Sequence, residues 1–505
     1  MPPLDPSARL LTRRALLGGA AGGLGQIALG SLLASACTTA QGASASARAG
    51  SLPDPESAQP APAFGRGLPG LPHFPARAKR VICLFQSEGV SHIDLFDHKP
   101  TLIAEAGKDL PPSVKGTQRV TGMTSDQDHF LVRPPLAGGK RCGQSGRWIS
   151  DLLPHLQTVA DELCVVKSLN TEAINHDPAI TFMNTGNQLP GYASMGAWAS
   201  YGLGSDNQNL PAFITMVSQG SGKNPGQPIF SRLWGNGFLP SSHQGVALRP
   251  GSNPVPYLAD PEGIERGQRR AQLDDLRAFN ELQMHASGDA ETEARIEAYE
   301  MAFRMQASVP ELTDLSGETA ATLAAYGPDV TRPGSYAANC LLARRLLERG
   351  VRFVQLFHRG WDQHIALAAQ LPAQCRDVDQ PTAALLRDLR QRGLLADTLV
   401  LFLTEFGRTA YSQGSLSDPA SGHDHHGRCF TVWLAGGGIR PGIEYGATDD
   451  FAYNIAADPV HLRDLHATVL HCLGIDHARL TFRFRGLDTK LTGTEPAHVV
   501  KSILA

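Results

Sequence analysis

An α/β fold with a central, largely parallel β-sheet is predicted by three features of this chain. Short, continuous apolar runs recur along it, helical patterns separate them, and Asp, Glu and His residues gather just after the runs end. A strand buried on both faces of a parallel sheet reads as an unbroken apolar run rather than an alternating one. Val81 to Gln86 (VICLFQ), preceded by the basic Arg77 to Arg80, is the first such run. Leu163 to Leu169, Ala212 to Val217, Val351 to Phe357, Thr398 to Thr404 and Cys429 to Leu434 read the same way. Helices are predicted over Trp148 to Glu162, Ala179 to Thr185, Ser335 to Arg349, Pro381 to Arg392 and Pro459 to Leu473, with Gly350 as a C-terminal cap on the third. The alternation is that of a sheet flanked by helices. It is interrupted at about 219–325, where a Gly/Pro/Ser-rich loop, Gly220 to Pro256, precedes a polar helical stretch, Ile264 to Gln306. That stretch reads as an insertion on a main domain spanning 72–505.

The first residues address the compartment. Thr12-Arg13-Arg14-Ala15-Leu16-Leu17 is a twin-arginine pattern, followed by a mild, Gly-broken apolar run to Ala34. The run is short of the roughly 20 strongly apolar residues that a membrane span needs, so 1–36 is expected to be an export signal to the periplasm. Ala34-Ser35-Ala36 fits cleavage, while Cys37 offers the alternative of lipidation, the one route to a membrane. A tether at 37–71 is expected next, because Thr38 to Pro62 is too poor in large apolar residues to pack. The eight cysteines are scattered with no C-x-x-C pair, which excludes a zinc knuckle or redox motif and leaves room for one or two disulfides. A net charge of −3 and a pI near 6.7, with no basic stripe, argue against a nucleic-acid partner.

Ligands in such sheets collect beyond the strand C-termini. After the first run come Glu88, Ser91, His92, Asp94 and Asp97; after the second, Asn175, His176 and Asp177; after the fourth, His358, Trp361, Asp362 and His364. After the fifth come Glu405 and, beyond a short polar loop, His423, Asp424, His425 and His426 in GHDHHG. Singly, each group has an ordinary structural reading: a helix cap, a turn or a solvated His-rich loop. Together they put carboxylates and imidazoles at one edge, where unpaired charges are costly unless a cation or an anionic substrate joins them. Carboxylate and imidazole donors suit Zn, Mn or Fe, and a carboxylate-dominated site suits Ca or Mg.

These stretches resemble a family. RVICLFQSEGVSHIDLFDHKP, NHDPAITFMNTG, PGYASMGAWASYGLGSDNQNLPAF, RFVQLFHRGWDQH, TEFGRT, GHDHHG and FRFRGLDTKLT look like exported bacterial proteins grouped as domain of unknown function 1501, sulfatase-like relatives of the alkaline phosphatase superfamily. The resemblance covers about Pro72 to Leu491. It implies an alkaline-phosphatase/sulfatase-like sandwich and a metal-centred site for phosphate or sulfate esters. Carried over residue by residue, it implies metal ligation by Asp94, Asp362, His364, Glu405, His425 and His426. Glu405 replaces the superfamily's Asp, and Phe406 stands where a second ligand belongs. Glu88-Gly89 also fits the first-strand position, but the family's own motif favours Asp94.

The nucleophile departs most from the superfamily. Counting back from Thr185-Gly186 puts His176 where a Ser, Thr or formylglycine-forming Cys is usual, with Pro178 in register, and no Cys-x-Pro-Ser-Arg signature exists. Three readings stand: metal-activated water with His176 as ligand or base, a covalent phosphohistidine-like intermediate, or a site that has lost catalysis. The working expectation is an exported metal-dependent ester hydrolase in which His176 faces the reacting atom. Arg408 is expected to hold an anionic oxygen by bidentate hydrogen bonds, with an ordinary surface ion pair as the alternative. The competing class is a catalytically inactive cell-envelope binding protein on the same fold.

Overall fold

Because each apolar run can be buried on both faces, the runs fold as strands. The computed structural model describes residues 67–505, apart from 119, 223–225, 252–253, 256–259, 261–262 and 288–289. In chain order the principal strands are β1 (Arg80–Gln86), β2 (Cys164–Asn170), β3 (Phe213–Gln219), β4 (Val246–Leu248), β5 (Phe353–Arg359) and β6 (Thr398–Leu403). They continue as β7 (Gly407–Gln413), β8 (Gly422–His426), β9 (Phe430–Ala435), β10 (Ile443–Tyr445) and β11 (Val460–His461). The principal helices are α1 (His176–Thr185), α2 (Met195–Leu203), α3 (Arg266–Ser287), α4 (Ala290–Thr313), α5 (Tyr336–Glu348), α6 (Leu367–Gln391) and α7 (Leu462–Cys472).

The main sheet runs β10-β2-β9-β6-β1-β5-β3-β4, with β11 also paired to β2. Pairing is parallel except at β9, which runs against both β2 and β6. The expected α/β class, a mostly parallel sheet flanked by helices, is what forms. Side chains along one strand divide between the two faces. Ile82, Leu84, Val354, Leu356, Val400 and Phe402 enter one core cluster. Val81, Cys83, Phe85, Phe353, Phe357, Leu399 and Leu401 enter the other.

Several elements differ from the sequence reading. Trp148 to Glu162 is not one helix: Arg147–Ser150 pairs with Gly139–Cys142 as a hairpin, and a kinked 3-10 stretch, Leu156–Glu162, follows. Pro154 stands between them, and its missing N–H and fixed φ suit a break there. Conversely, α6 starts at Leu367 and runs through Pro372 and Pro381, since the buried Leu371, Cys375, Val378, Thr382, Leu385 and Leu389 keep a helical stripe across both prolines. GHDHH, for which the sequence predicts no element and whose plain alternative is a solvated loop, is a strand paired antiparallel with β7. The region 219–325 contains the edge strand β4 as well as the helices α3 and α4.

The expected signal, Cys37 and the tether up to 66 lie outside the described residues. The end assigned to that tether is part of the fold: Leu68 and Leu71 pack on the core, and the Leu68 N–H donates to the Gly202 carbonyl. The seven described cysteines are all buried free thiols, so no disulfide forms among the described residues. Among those residues no helix is long and apolar enough to cross a membrane.

One glycine fixes how the hairpin meets the sheet. A Cβ at Gly422 would stand 2.1 Å from the Gln363 carbonyl oxygen, so β8 docks directly on the loop that follows β5. Gly422→Ala is therefore expected to cost about 1–3 kcal/mol, the usual range for overpacking. Urea unfolding measures this, and an unchanged midpoint would show that the hairpin docks without that contact.

Candidate metal centre

The strands β1, β5 and β6 run parallel, so the segments beyond them emerge at one edge of the sheet. β1 delivers Glu88, β5 delivers Asp362 and His364, and β6 delivers Glu405. The chain after β2 delivers His176 as the first residue of α1, and the β7/β8 hairpin folds back to add Arg408 and His425. His176, Asp362, His364 and His425 converge: one ligand atom from each lies within 4.8 Å of all the others.

Their geometry turns on Oδ1 of Asp362. His364 Nε2 lies 3.0 Å from it, His176 Nε2 3.1 Å and His425 Nε2 3.6 Å. The Nε2 atoms of His364 and His425 are themselves 2.8 Å apart. Each imidazole is held from behind at Nδ1 by an oxygen. Glu405 Oε1 is 3.0 Å from His176, the Ile174 carbonyl 2.7 Å from His425, and Gln413 Oε1 faces His364 at 2.5 Å. An Nδ1–H that donates to oxygen leaves the Nε2 lone pair free, and here three such nitrogens face one carboxylate oxygen. This is the arrangement by which outer partners orient metal-ligating histidines.

Phe406, which has no ligand atom, is fully buried and packs under the imidazoles. Its ring centroid lies 5.0 Å from that of His176 and 4.5 Å from that of His425. Gly89, at φ +80°, leaves room for it, since a Cβ there would come within 2.7 Å of the Phe406 ring.

Electrostatics agree with the geometry. Burial alone would raise the Asp362 pKa, but His176, His364, His425 and Arg408 hold it far below the ordinary carboxylate range. Burial pulls His425 down to about 3, keeping it neutral and fit to donate a lone pair. Burial also opposes charge on His176, yet Asp362 and Glu405 outweigh it and raise its pKa to about 9. Glu88, at φ 91°, accepts from the N–H groups of Gln227 and Gly360; burial first, with Glu405 and Asp362 behind it, raises its pKa to about 7. A non-glycine residue held at such a φ is uncommon and concentrates at functional sites.

The structure sorts the expected site residues. Asp362, His364 and His425 come together, and His176, expected to face the reacting atom, joins them as a fourth member. Glu405 lies just behind, with both its oxygens within reach of the Glu88 N–H at 2.8 and 3.0 Å and one bonded to His176. Asp94 and His426, expected as ligands, are outside the cluster. Asp94 is fully buried and bonded to Ser91 and the Leu136 N–H, with His423 Nε2 at 3.3 Å. His426 Nε2 bonds the Tyr453 carbonyl at 2.7 Å, and its ring stacks on Tyr453.

Arg408 is not a free anion clamp. It is 1% exposed, and its donors go to the carbonyls of Gly89, Glu88, Trp361 and His423 and, at 2.8 Å, to Asp362 Oδ1. Its role is to hold Asp362. Asp177 is exposed and paired with Arg232, and Asp97 is buried beside Lys99 and Lys167. The sequence reading missed the orienting partners Gln413 and Ile174, whose residue types carry no signal of that task.

The His176 imidazolium links site to stability. Its folded pKa of about 9 lies above the ordinary 6.5, so in metal-free protein its contribution is complete below pH 6.5 and is lost as pH rises through about 9. Chelated wild type and His176→Gln, unfolded in urea across that range, should differ most at the acid end. A difference that stays constant or grows with pH would remove His176 from that role.

Comparisons place the chain among known proteins. The family model described as protein of unknown function (DUF1501) matches residues 78–504. No curated protein matches. Solved structures with similarity include a sulfatase from Pseudoalteromonas sp., at 14% identity over 79% of this chain and 68% of that one, with a TM-score of 0.31. A phosphonate monoester hydrolase from Silicibacter pomeroyi matches at 10% identity over 64% and 68%, with a TM-score of 0.27. An alkaline phosphatase from the Antarctic bacterium TAB5 matches at 12% identity over 73% and 94%, with a TM-score of 0.25.

Proposed function

We propose that this chain, which belongs to the DUF1501 family, is a metal-dependent hydrolase of phosphate or sulfate esters that works without formylglycine. One observation carries the reading: three imidazoles, each tied at Nδ1 to an oxygen, present Nε2 toward Asp362 Oδ1. In the absence of a cation, three nitrogens and a carboxylate so close must share protons, as the raised pKa of His176 and the close approach of His364 to His425 reflect. A divalent ion satisfies all four donors at once. Three nitrogens and one oxygen suit zinc or manganese better than calcium or magnesium, which favour oxygen.

His176, Asp362, His364 and His425 would hold the ion, and bound there it would lower the pKa of a water toward neutrality and polarise an ester oxygen. Glu405, Gln413 and the Ile174 carbonyl keep the imidazoles in the ligating tautomer. Arg408 keeps Asp362 from turning away, and Phe406 closes the floor of the site to water. His176 stands in the register of the superfamily's nucleophile, but its Nδ1 is tied to Glu405 and its Nε2 faces Asp362 Oδ1 beside two other imidazoles, which favours ligation over covalent attack. On the strength of the Thr12 to Leu17 twin-arginine pattern we place this chemistry in the periplasm, on small anionic esters.

Metal analysis of protein purified in its folded form, with turnover of aryl phosphates and aryl sulfates, tests the proposal. Asp362→Ala and His364→Ala should abolish stoichiometric metal and turnover together. Glu405→Gln should weaken metal affinity about 10- to 100-fold, as loss of an orienting partner does. His426→Phe should leave the stoichiometry unchanged. Wild type that holds no metal and turns over neither ester would overturn the reading in favour of a binding protein. Binding should also be linked to pH: because His176 is protonated at neutrality, each ion bound should displace about one proton. Titration calorimetry in buffers of different ionisation enthalpy measures that release; a count of zero would take His176 off the ligand set.

A further inference from the structure

A cleft of about 420 Å³ lies away from the metal centre and shares none of its residues. One wall is α4, whose Glu297, Met301 and Met305, with Ala298 and Ala302, fall at helical spacing along one face. The opposite wall is formed by the end of α2, the residues leading into β3, and the segment Ser241–Val246 that leads into β4. The volume falls within the range of small-molecule sites. A well-packed interior leaves few voids larger than a water.

The lining indicates what would fill it. Leu210, Val246, Val255, Met301 and Met305 make it mainly apolar, and the two methionines supply adaptable, polarisable surface. Among the described residues no Lys or Arg lines it. Glu297, the sole carboxylate among the described lining residues, already has a partner. His243 adds no charge, because burial pulls its pKa down to about 4. Its Nδ1 lies 3.1 Å from the Ser200 hydroxyl, while its Nε2 has no hydrogen-bond partner. An anionic ligand would therefore meet no countercharge, whereas an apolar molecule gains by leaving water.

We infer that the cleft between α4 and the segment leading into β4 is a second binding site, for an uncharged, mainly apolar small molecule.

The full chain is titrated with the neutral fluorophore N-phenyl-1-naphthylamine and, in parallel, with the anionic 8-anilinonaphthalene-1-sulfonate. Saturable enhancement with the neutral probe, at least about tenfold tighter than with the anionic one, is expected. Ala298→Trp and Ala302→Trp fill the cleft from exposed positions of α4. Each should abolish the saturable signal with the circular dichroism unchanged. Asp362→Ala should leave it intact, which separates this site from the metal centre. No saturable binding, equal binding of both probes, or binding that survives both tryptophans would overturn the inference.

Discussion

The site depends on one desolvated carboxylate. Asp362 is largely, though not fully, withdrawn from water at the edge of the sheet, where an ionised group survives only if donors replace its lost hydration. Arg408 provides a permanent charge, and three imidazoles complete the ring around Oδ1. Arg408 can do this only because it is itself anchored to backbone carbonyls from β1's exit, from the loop after β5 and from β8. The arginine thus ties three segments into one frame with Asp362 at its centre. Removing one member leaves the others with uncompensated charge or lone pairs, so the group behaves as a unit rather than as a sum of pairs.

The sheet makes that frame rigid. β1 is flanked on both sides by parallel partners, β5 and β6, in continuous register from Val81 to Phe85. Their exits therefore sit at fixed spacing. The single reversed strand, β9, matters as well: it lets the chain return from β8 directly into the sheet, so that the hairpin bearing His425 is held at both its ends. Glycines set the close approaches. Gly422 lets β8 meet the loop after β5, and Gly89 lets Phe406 slide beneath the imidazoles.

Much of this was legible in the sequence because continuous apolar runs have few alternative fates. All six predicted strands form, with ends shifted by a few residues. The run Trp148 to Glu162 misled because its apolar spacing is compatible with a helix while Pro154 interrupts it. The opposite error occurred at Pro381, where burial of a long stripe outweighed the local penalty. Asp362, His364 and His425 were legible as site residues because ionisable groups clustered at strand exits have little structural reason to be there. Asp94 looked equivalent by position and family motif, yet besides the local Ser91 its partners Leu136 and His423 come from distant parts of the chain. Arg408 looked like an anion binder; only the fold shows that carbonyls consume its donors.

The division of GHDHHG shows why composition alone overstates a metal motif. In a regular strand, side chains two apart point the same way, so His423 and His425 would share a face. The register of β8 against β7 slips between those two residues, as a bulge does, and the slip re-aims one relative to the other. His423 then lies beside Asp94, His425 beside Asp362, Asp424 takes the hydroxyls of Thr121 and Thr124, and His426 turns to the Tyr453 carbonyl. Four consecutive polar residues serve four different neighbours, and one of them reaches the cluster around Asp362. A cluster that looks like a chelator in sequence is, in the fold, a junction: it ties the hairpin to its surroundings at three points so that the fourth, His425, is held still.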